Sequence, residues 1–234
     1  MVSTRSSPAL RQPKSDDISS PLSTSRLSSS SSSPRPGFSH RPTPLTLLWL
    51  AVSLPLVAWD TAYVLLRPHT MPGGRLHRPL WVPYELYGRV DHVYGWKAYD
   101  AGTGFTAAQG TLNLVETALY AVYWALWFWG SRRGTDGGGR KAGAARVGGR
   151  RAAVAVVVGL SASVMTFSKT VLYWLNEYYS GFDNIGHNSL GALIWLWIIP
   201  NGLWLVFPCY MIYALGNEIV DGLAGVPAPA VKEE

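Results

Sequence analysis

The sequence predicts an all-α membrane protein, a four-transmembrane-helix bundle behind a disordered N-terminal tail. Three observations predict it. Hydrophobic residues make up 48% of the 234 and charged residues only 15%, and the charges cluster so that long apolar runs remain between them. Four such runs, residues 44–66, 105–129, 152–175 and 189–215, are near or above the ~20 residues that cross ~30 Å of hydrocarbon. Eleven tryptophans and twelve tyrosines suit helix ends that meet the membrane interface. Only helices or closed barrels satisfy the backbone in lipid, and these runs are too long and too continuously apolar for barrel strands.

Residues 1–43 are rich in Ser, Pro and Arg and contain a serine run at 28–33. Such a tract cannot bury enough surface to fold. It lacks the apolar core of a cleavable signal, and Asp16, Asp17 and the prolines argue against an amphipathic transit helix. The expected organisation is a disordered cytosolic tail over 1–43, a membrane domain over 44–216 and a short cytosolic tail over 217–234.

The first run, 44–66, carries one charge, Asp60. A charge at mid-membrane costs about 2.5–3.5 kcal/mol on insertion scales, so it marks a functional site or a buried pair. The second, 105–129, also carries one charge, Glu116. Gln109, Asn113, Glu116 and Tyr120 recur there at steps of four, three and four, which places them on one helix face. That stripe reads as a cavity wall or as interhelical hydrogen bonding. In the third run, Thr166, Lys169, Thr170 and Tyr173 also lie at helical spacing. Lys169 is expected to snorkel to the interface; the alternative is that it turns inward and pairs with Asp60 or Glu116. The fourth run has no charge. Asn201 and Trp204 lie between Pro200 and Pro208, where the Asn can satisfy carbonyls freed by proline or line a pocket with the indole.

Positive charge orients the chain. Six Lys or Arg lie in residues 1–43, seven in residues 130–151, five in 67–104 and none in 176–188. Both termini and the glycine-rich basic loop are therefore expected in the cytosol, and the net charge of +6 reads as a topology signal rather than a nucleic-acid module. A single cysteine, Cys209, excludes an internal disulfide. No Cys/His cluster has metal-ligand spacing, and no phosphate loop or nucleophile elbow occurs, so neither a metal nor a cofactor is expected.

These residues carry a resemblance to the emopamil-binding-protein family and its EXPERA module. The strongest match is Asn201-Gly202-Leu203-Trp204-Leu205-Val206-Phe207-Pro208. Similar too are Val171-Leu172-Tyr173-Trp174-Leu175-Asn176-Glu177, Gly181-Phe182, Gly186-His187, Glu85-Leu86-Tyr87 with Asp91 and Tyr94, and the pair Glu116-Thr117. The stretch from Ser53-Leu54-Pro55 through Asp60 to Leu66 is most similar to the sigma-2-receptor branch. The resemblance covers residues 45–216.

The resemblance implies a four-helix bundle of the endoplasmic reticulum membrane, with a cavity that accepts sterols and cationic amphiphiles. The activity it implies is sterol Δ8–Δ7 isomerisation, with Asp60 and Glu116 on the family's two acidic positions as acid–base and cation-stabilising pair. Asn113, Tyr120, Asn201 and Trp204 would shape the substrate pocket. The isomerase carries a histidine one turn before the first acid, where this chain has Leu56. The rival expectation is a non-catalytic receptor or trafficking factor that holds an amine or hydroxyl with the same acids. A purely structural scaffold is the third, and the polar stripe counts against it. Expected partners are a sterol or other lipid, cationic amphiphiles, the membrane and a second copy of the chain.

Overall fold

Thr43 starts the first long helix: its hydroxyl accepts the backbone N–H of Thr46, and Pro44 fills a position where no donor is needed. The computed structural model describes residues 37–133 and 146–225. Helix α1 (Pro44–Leu65) leads into a folded loop carrying α2 (Pro83–Val90) and α3 (Trp96–Asp100). Then come α4 (Phe105–Arg133), α5 (Gly149–Tyr179), the short α6 (Leu190–Leu193), a π turn at Ile194–Ile198, and α7 (Ile199–Ala224).

Among the described residues, three helical runs are long and apolar enough to cross a membrane: Pro44–Leu65, Gly149–Tyr179, and the continuous Leu190–Ala224 formed by α6, the π turn and α7. Four were expected. α4 has the length, at 29 residues, but Gln109, Asn113, Glu116 and their polar neighbours interrupt its apolar run.

The long helices pack in sequence, α1 on α4, α4 on α5 and α5 on α7. Trp49 of α1 closes the ring against α7, stacked on Phe207 with centroids 4.5 Å apart and edge-on to Trp204 at 5.1 Å. α5 is central because its inward face is small. Ala152, Ala155, Gly159, Ala162, Ser163 and Thr166 are all buried at helical spacing, which lets backbones approach closely without lipid between them. A Cβ on Gly159 would lie 2.9 Å from the Tyr123 ring and 3.1 Å from Leu215, so glycine is what admits both neighbours. α5 ends in a left-handed Gly181 (φ 68°), with Phe182 N–H donating to Glu177 O at 2.7 Å and Gly181 N–H to Tyr178 O at 3.2 Å. This double bond pattern stops a helix and turns the chain.

The loop between α1 and α4 is packed onto the bundle. Tyr84 of α2 stacks on Tyr63 of α1 with centroids 3.8 Å apart, beside buried Met71 and Trp81. Asp91, fully buried, accepts hydrogen bonds from the Tyr173 hydroxyl, from Trp197 Nε1 at 2.8 Å and from Val93 N–H at 3.0 Å. One loop carboxylate thereby ties together α5 and the π turn.

At the opposite end, strand β1 (Ser39–His40) pairs antiparallel with β2 (Val147–Gly148). His40 is buried between Glu218 (Nδ1 to Oε2, 2.8 Å) and the Tyr123 hydroxyl (Nε2 to O, 2.9 Å). Residues 37–43, assigned to the tail by composition, thus pack against the bundle. α5 takes in Arg150 and Arg151, and α7 continues past residue 216 to Ala224. Helices extend beyond their apolar stretch here because charged residues at their ends remain good helix formers. The serine run at 28–33, loop residues Arg140 and Lys141, and residues 226–234 lie outside the described residues.

Candidate functional site

Asp60 sits in the last two turns of α1, and its carboxylate faces inward to three donors. Tyr84 donates to Oδ1 at 2.5 Å, while Asn113 Nδ2 at 3.1 Å and the Tyr94 hydroxyl at 3.5 Å donate to Oδ2. Two of these partners come from the loop and one from α4. Burial holds the Tyr84 and Tyr94 hydroxyls well above the ordinary phenol range, and the neighbouring Asp60 adds to the shift. Both phenols therefore stay protonated and remain donors.

Asn113 also accepts from Lys169 through Oδ1, and Lys169 Nζ lies 2.8 Å from Glu116 Oε2. Thr166 Oγ1 donates to that same oxygen at 2.9 Å. The polar groups form one chain across three helices, running from Tyr84 through Asp60, Asn113 and Lys169 to Glu116 and Thr166. The snorkelling expected of Lys169 is corrected: its side chain is 9% exposed and points inward. The physical reason is that Glu116, 4% exposed at its side chain, would otherwise be an unpaired buried charge, which costs far more than bending a lysine stem inward.

Next to this chain lies a cavity of about 570 Å³, within the ~300–1,000 Å³ usual for small-molecule sites. Asp60, Tyr84, Tyr94, Gln109, Asn113, Lys169 and Thr170 give it a polar side; Leu56, Val57, Leu86, Leu196, Pro200 and Leu203 are among its apolar lining. Gln109 Nε2 is buried with no protein partner, which leaves a donor at the cavity wall. Asn201 and Trp204 line the cavity. Asn201 Nδ2 donates to Trp197 O, one turn earlier, at 2.8 Å and to the Tyr87 hydroxyl at 3.4 Å, so it ties the π turn to α2 at the edge of the pocket.

Glu116 and Tyr120 are placed differently from the other expected residues. Neither lines the large cavity. Both border a separate void of about 10 Å³ with Trp49, Ser53 and Trp204, and Tyr120 donates to Ser163 Oγ at 3.3 Å. The two acids do not meet directly; Asn113 and Lys169 stand between them. Tyr84 was not singled out by sequence reasoning. Its only sequence signal is a run of loop tyrosines at 84, 87 and 94, which says nothing about which acid they reach.

Asp91, outside the long helices, is pushed up to about 6 by burial, against the lowering effect of its bonds from Tyr173, Trp197 and Val93. Among the described residues no cluster of three or more His, Cys, Asp or Glu could hold a metal ion. Comparison with protein families, with curated proteins and with solved structures returns no match.

Proposed function

We infer that the chain is a sterol-handling protein of the endoplasmic reticulum membrane. It crosses the bilayer four times, with α4 as the fourth span, and isomerises a ring double bond of a sterol by acid–base chemistry of the Δ8–Δ7 type. The observation that carries this reading is the polar wall of the cavity: Asp60, joined through Asn113 to the Lys169–Glu116 pair, set against an apolar remainder. Moving a double bond needs one group to protonate the alkene and another to remove a neighbouring proton. The carbocation between the steps needs fixed negative charge in a dry site. α4 suits a fourth span because Asn113 and Glu116 find partners on α1 and α5 rather than in lipid. The bias of Lys and Arg supports cytosolic termini. Expression in cells lacking sterol isomerase, followed by sterol profiling, tests the reading. Conversion of accumulated Δ8 sterols supports it, and their persistence rules the reaction out.

A second reading is non-catalytic binding of a sterol, lipid or amphiphilic amine. Leu56 favours it, since it lines the cavity where the family resembled has a histidine, as does the withdrawal of Glu116 behind Lys169. Under it Asp60 holds the ligand's amine or hydroxyl. Amphiphilic-amine binding that Asp60→Asn weakens, with no sterol converted, selects this reading.

A further inference from the structure

We propose that Lys169 is a catalytic proton relay, the group through which a substrate in the cavity reaches Glu116. The proposal rests on the isomerase reading above. Glu116 does not line the large cavity, yet Lys169 does, and its Nζ lies 2.8 Å from Glu116 Oε2. Asp60 lines the same cavity, tied to Lys169 through Asn113. An ammonium has three N–H groups. Asn113 and Glu116 take two of them, and among the described residues no third acceptor lies within hydrogen-bond distance. The third N–H position is the one left for a ligand. Among the described residues no histidine lines the cavity, and Asp60 and Lys169 are those with aliphatic acid–base function at its wall.

The proton balance closes. Asp60, carrying a proton, gives it to one alkene carbon, whose π pair forms the new C–H bond; the neighbouring ring carbon becomes cationic and Asp60 becomes a carboxylate. The C–H bond next to the cation then breaks. Its electron pair becomes the new double bond, and its proton passes to the Nζ lone pair of Lys169, which has already given one of its own protons to Glu116 Oε2 and turned about Cε–Nζ so that this lone pair faces the cavity. Glu116 ends neutral, Lys169 ends as it began, and the proton returns from Glu116 to Asp60 before the next turnover. Through the cationic stage the wall carries Asp60⁻, Lys169⁺ and Glu116⁻, a net charge of −1 that offsets the substrate cation.

Arginine separates a relay from a counter-ion, because it keeps the charge and the donors but does not release a proton in proteins. Wild type, Lys169→Arg and the doubly neutral Lys169→Met/Glu116→Gln are compared for sterol conversion in isomerase-deficient membranes and, after purification in detergent, for size-exclusion profile and thermal unfolding. The expected result is a fall in turnover of about 100-fold or more in both variants, with a single folded peak on size exclusion and a cooperative unfolding transition reporting that they fold. Incorporation of solvent deuterium into the sterol should fall with turnover. Either variant converting sterol within about fivefold of wild type overturns the relay and leaves the isomerase reading standing. Absence of conversion by the wild type removes the reaction itself, and the relay with it.

Discussion

Tyr84 donates its hydroxyl hydrogen to Asp60 Oδ1 over 2.5 Å, joining α2 to α1 across 24 residues of chain. The loop therefore belongs to the candidate site as much as the long helices do. It supplies two of the three donors on Asp60, and Tyr87 supplies a contact to Asn201. A carboxylate held this way has a fixed orientation toward the cavity before any ligand arrives.

Tyr84→Phe should cost about 0.5–1.5 kcal/mol, the usual net worth of a hydrogen bond. The ring stacking on Tyr63 is retained, so the loss isolates the hydroxyl. Denaturant unfolding in detergent gives the stability, and ligand titration should show weaker binding. A variant as stable and as tight-binding as wild type would separate the loop from the site.

Breaking the Lys169–Glu116 pair on one side should be worse than removing it. Glu116→Gln or Lys169→Met alone leaves a buried charge without its partner, at about 3–5 kcal/mol. The double replacement should cost less than either single change, because no charge stays stranded. Unfolding midpoints for the four members of the cycle measure this. Additive losses would mean that the two side chains do not interact.

Asp91 should make loop docking sensitive to acid conditions in an unusual direction. Its carboxyl is raised from 3.8 to about 6 in the folded chain, so the folded state binds the proton more tightly than the unfolded state. The resulting stability is fully present below pH ~4 and is lost as pH rises through ~6, by about 3 kcal/mol for a shift of this size. Asp91→Asn should flatten that dependence. Hydrogen exchange of residues 83–100 between pH 4 and 7 reads it, and an unchanged slope in the variant would count against Asp91 as its source.

Leu56→His should raise isomerase turnover about tenfold or more. Position 56 lies one turn before Asp60 on the same helix face and lines the cavity, so an imidazole there gains a titratable group within reach of substrate. Sterol conversion by purified wild type and variant is the measurement. Equal rates would mean that the cavity already has its full acid–base set.

Under the proposed orientation, taken from the Lys and Arg bias, protease added to sealed microsomes should remove residues 1–36 and cut the loop between α4 and α5. Protection of that loop would reverse the orientation proposed.

The fold was legible wherever the signal was local. The apolar runs of α1, α5 and α6–α7 were visible as runs, and the four-residue stripe on α4 correctly marked a face turned toward partners, since Asn113 and Glu116 both bond across to other helices. The site was legible in its membership more than in its arrangement. Asp60, Asn113, Asn201 and Trp204 do line one cavity. Tyr120 and Glu116 share their helix face with Asn113, yet they lie one layer away, because a helix face carries the same residues past successive neighbours and spacing does not say where a cavity stops.

What the sequence by itself determined was the all-α class, the presence and length of the apolar runs, and which polar residues could not be left in lipid. These follow from hydrophobicity and from the 3.6-residue period, which are properties of a short stretch of chain. Only the tertiary structure decided which partner each polar group took. Lys169 could reach the interface or turn inward, and the buried carboxylate across from it on α4 made inward the lower-energy choice. Asp60 could have met Glu116; instead Asn113 and Lys169 came between them, and Tyr84 arrived from a loop that Asp91 ties to α5 and the π turn. Such pairings are set by how helices pack and how far side chains extend, and neither quantity is written in the spacing of residues along one helix.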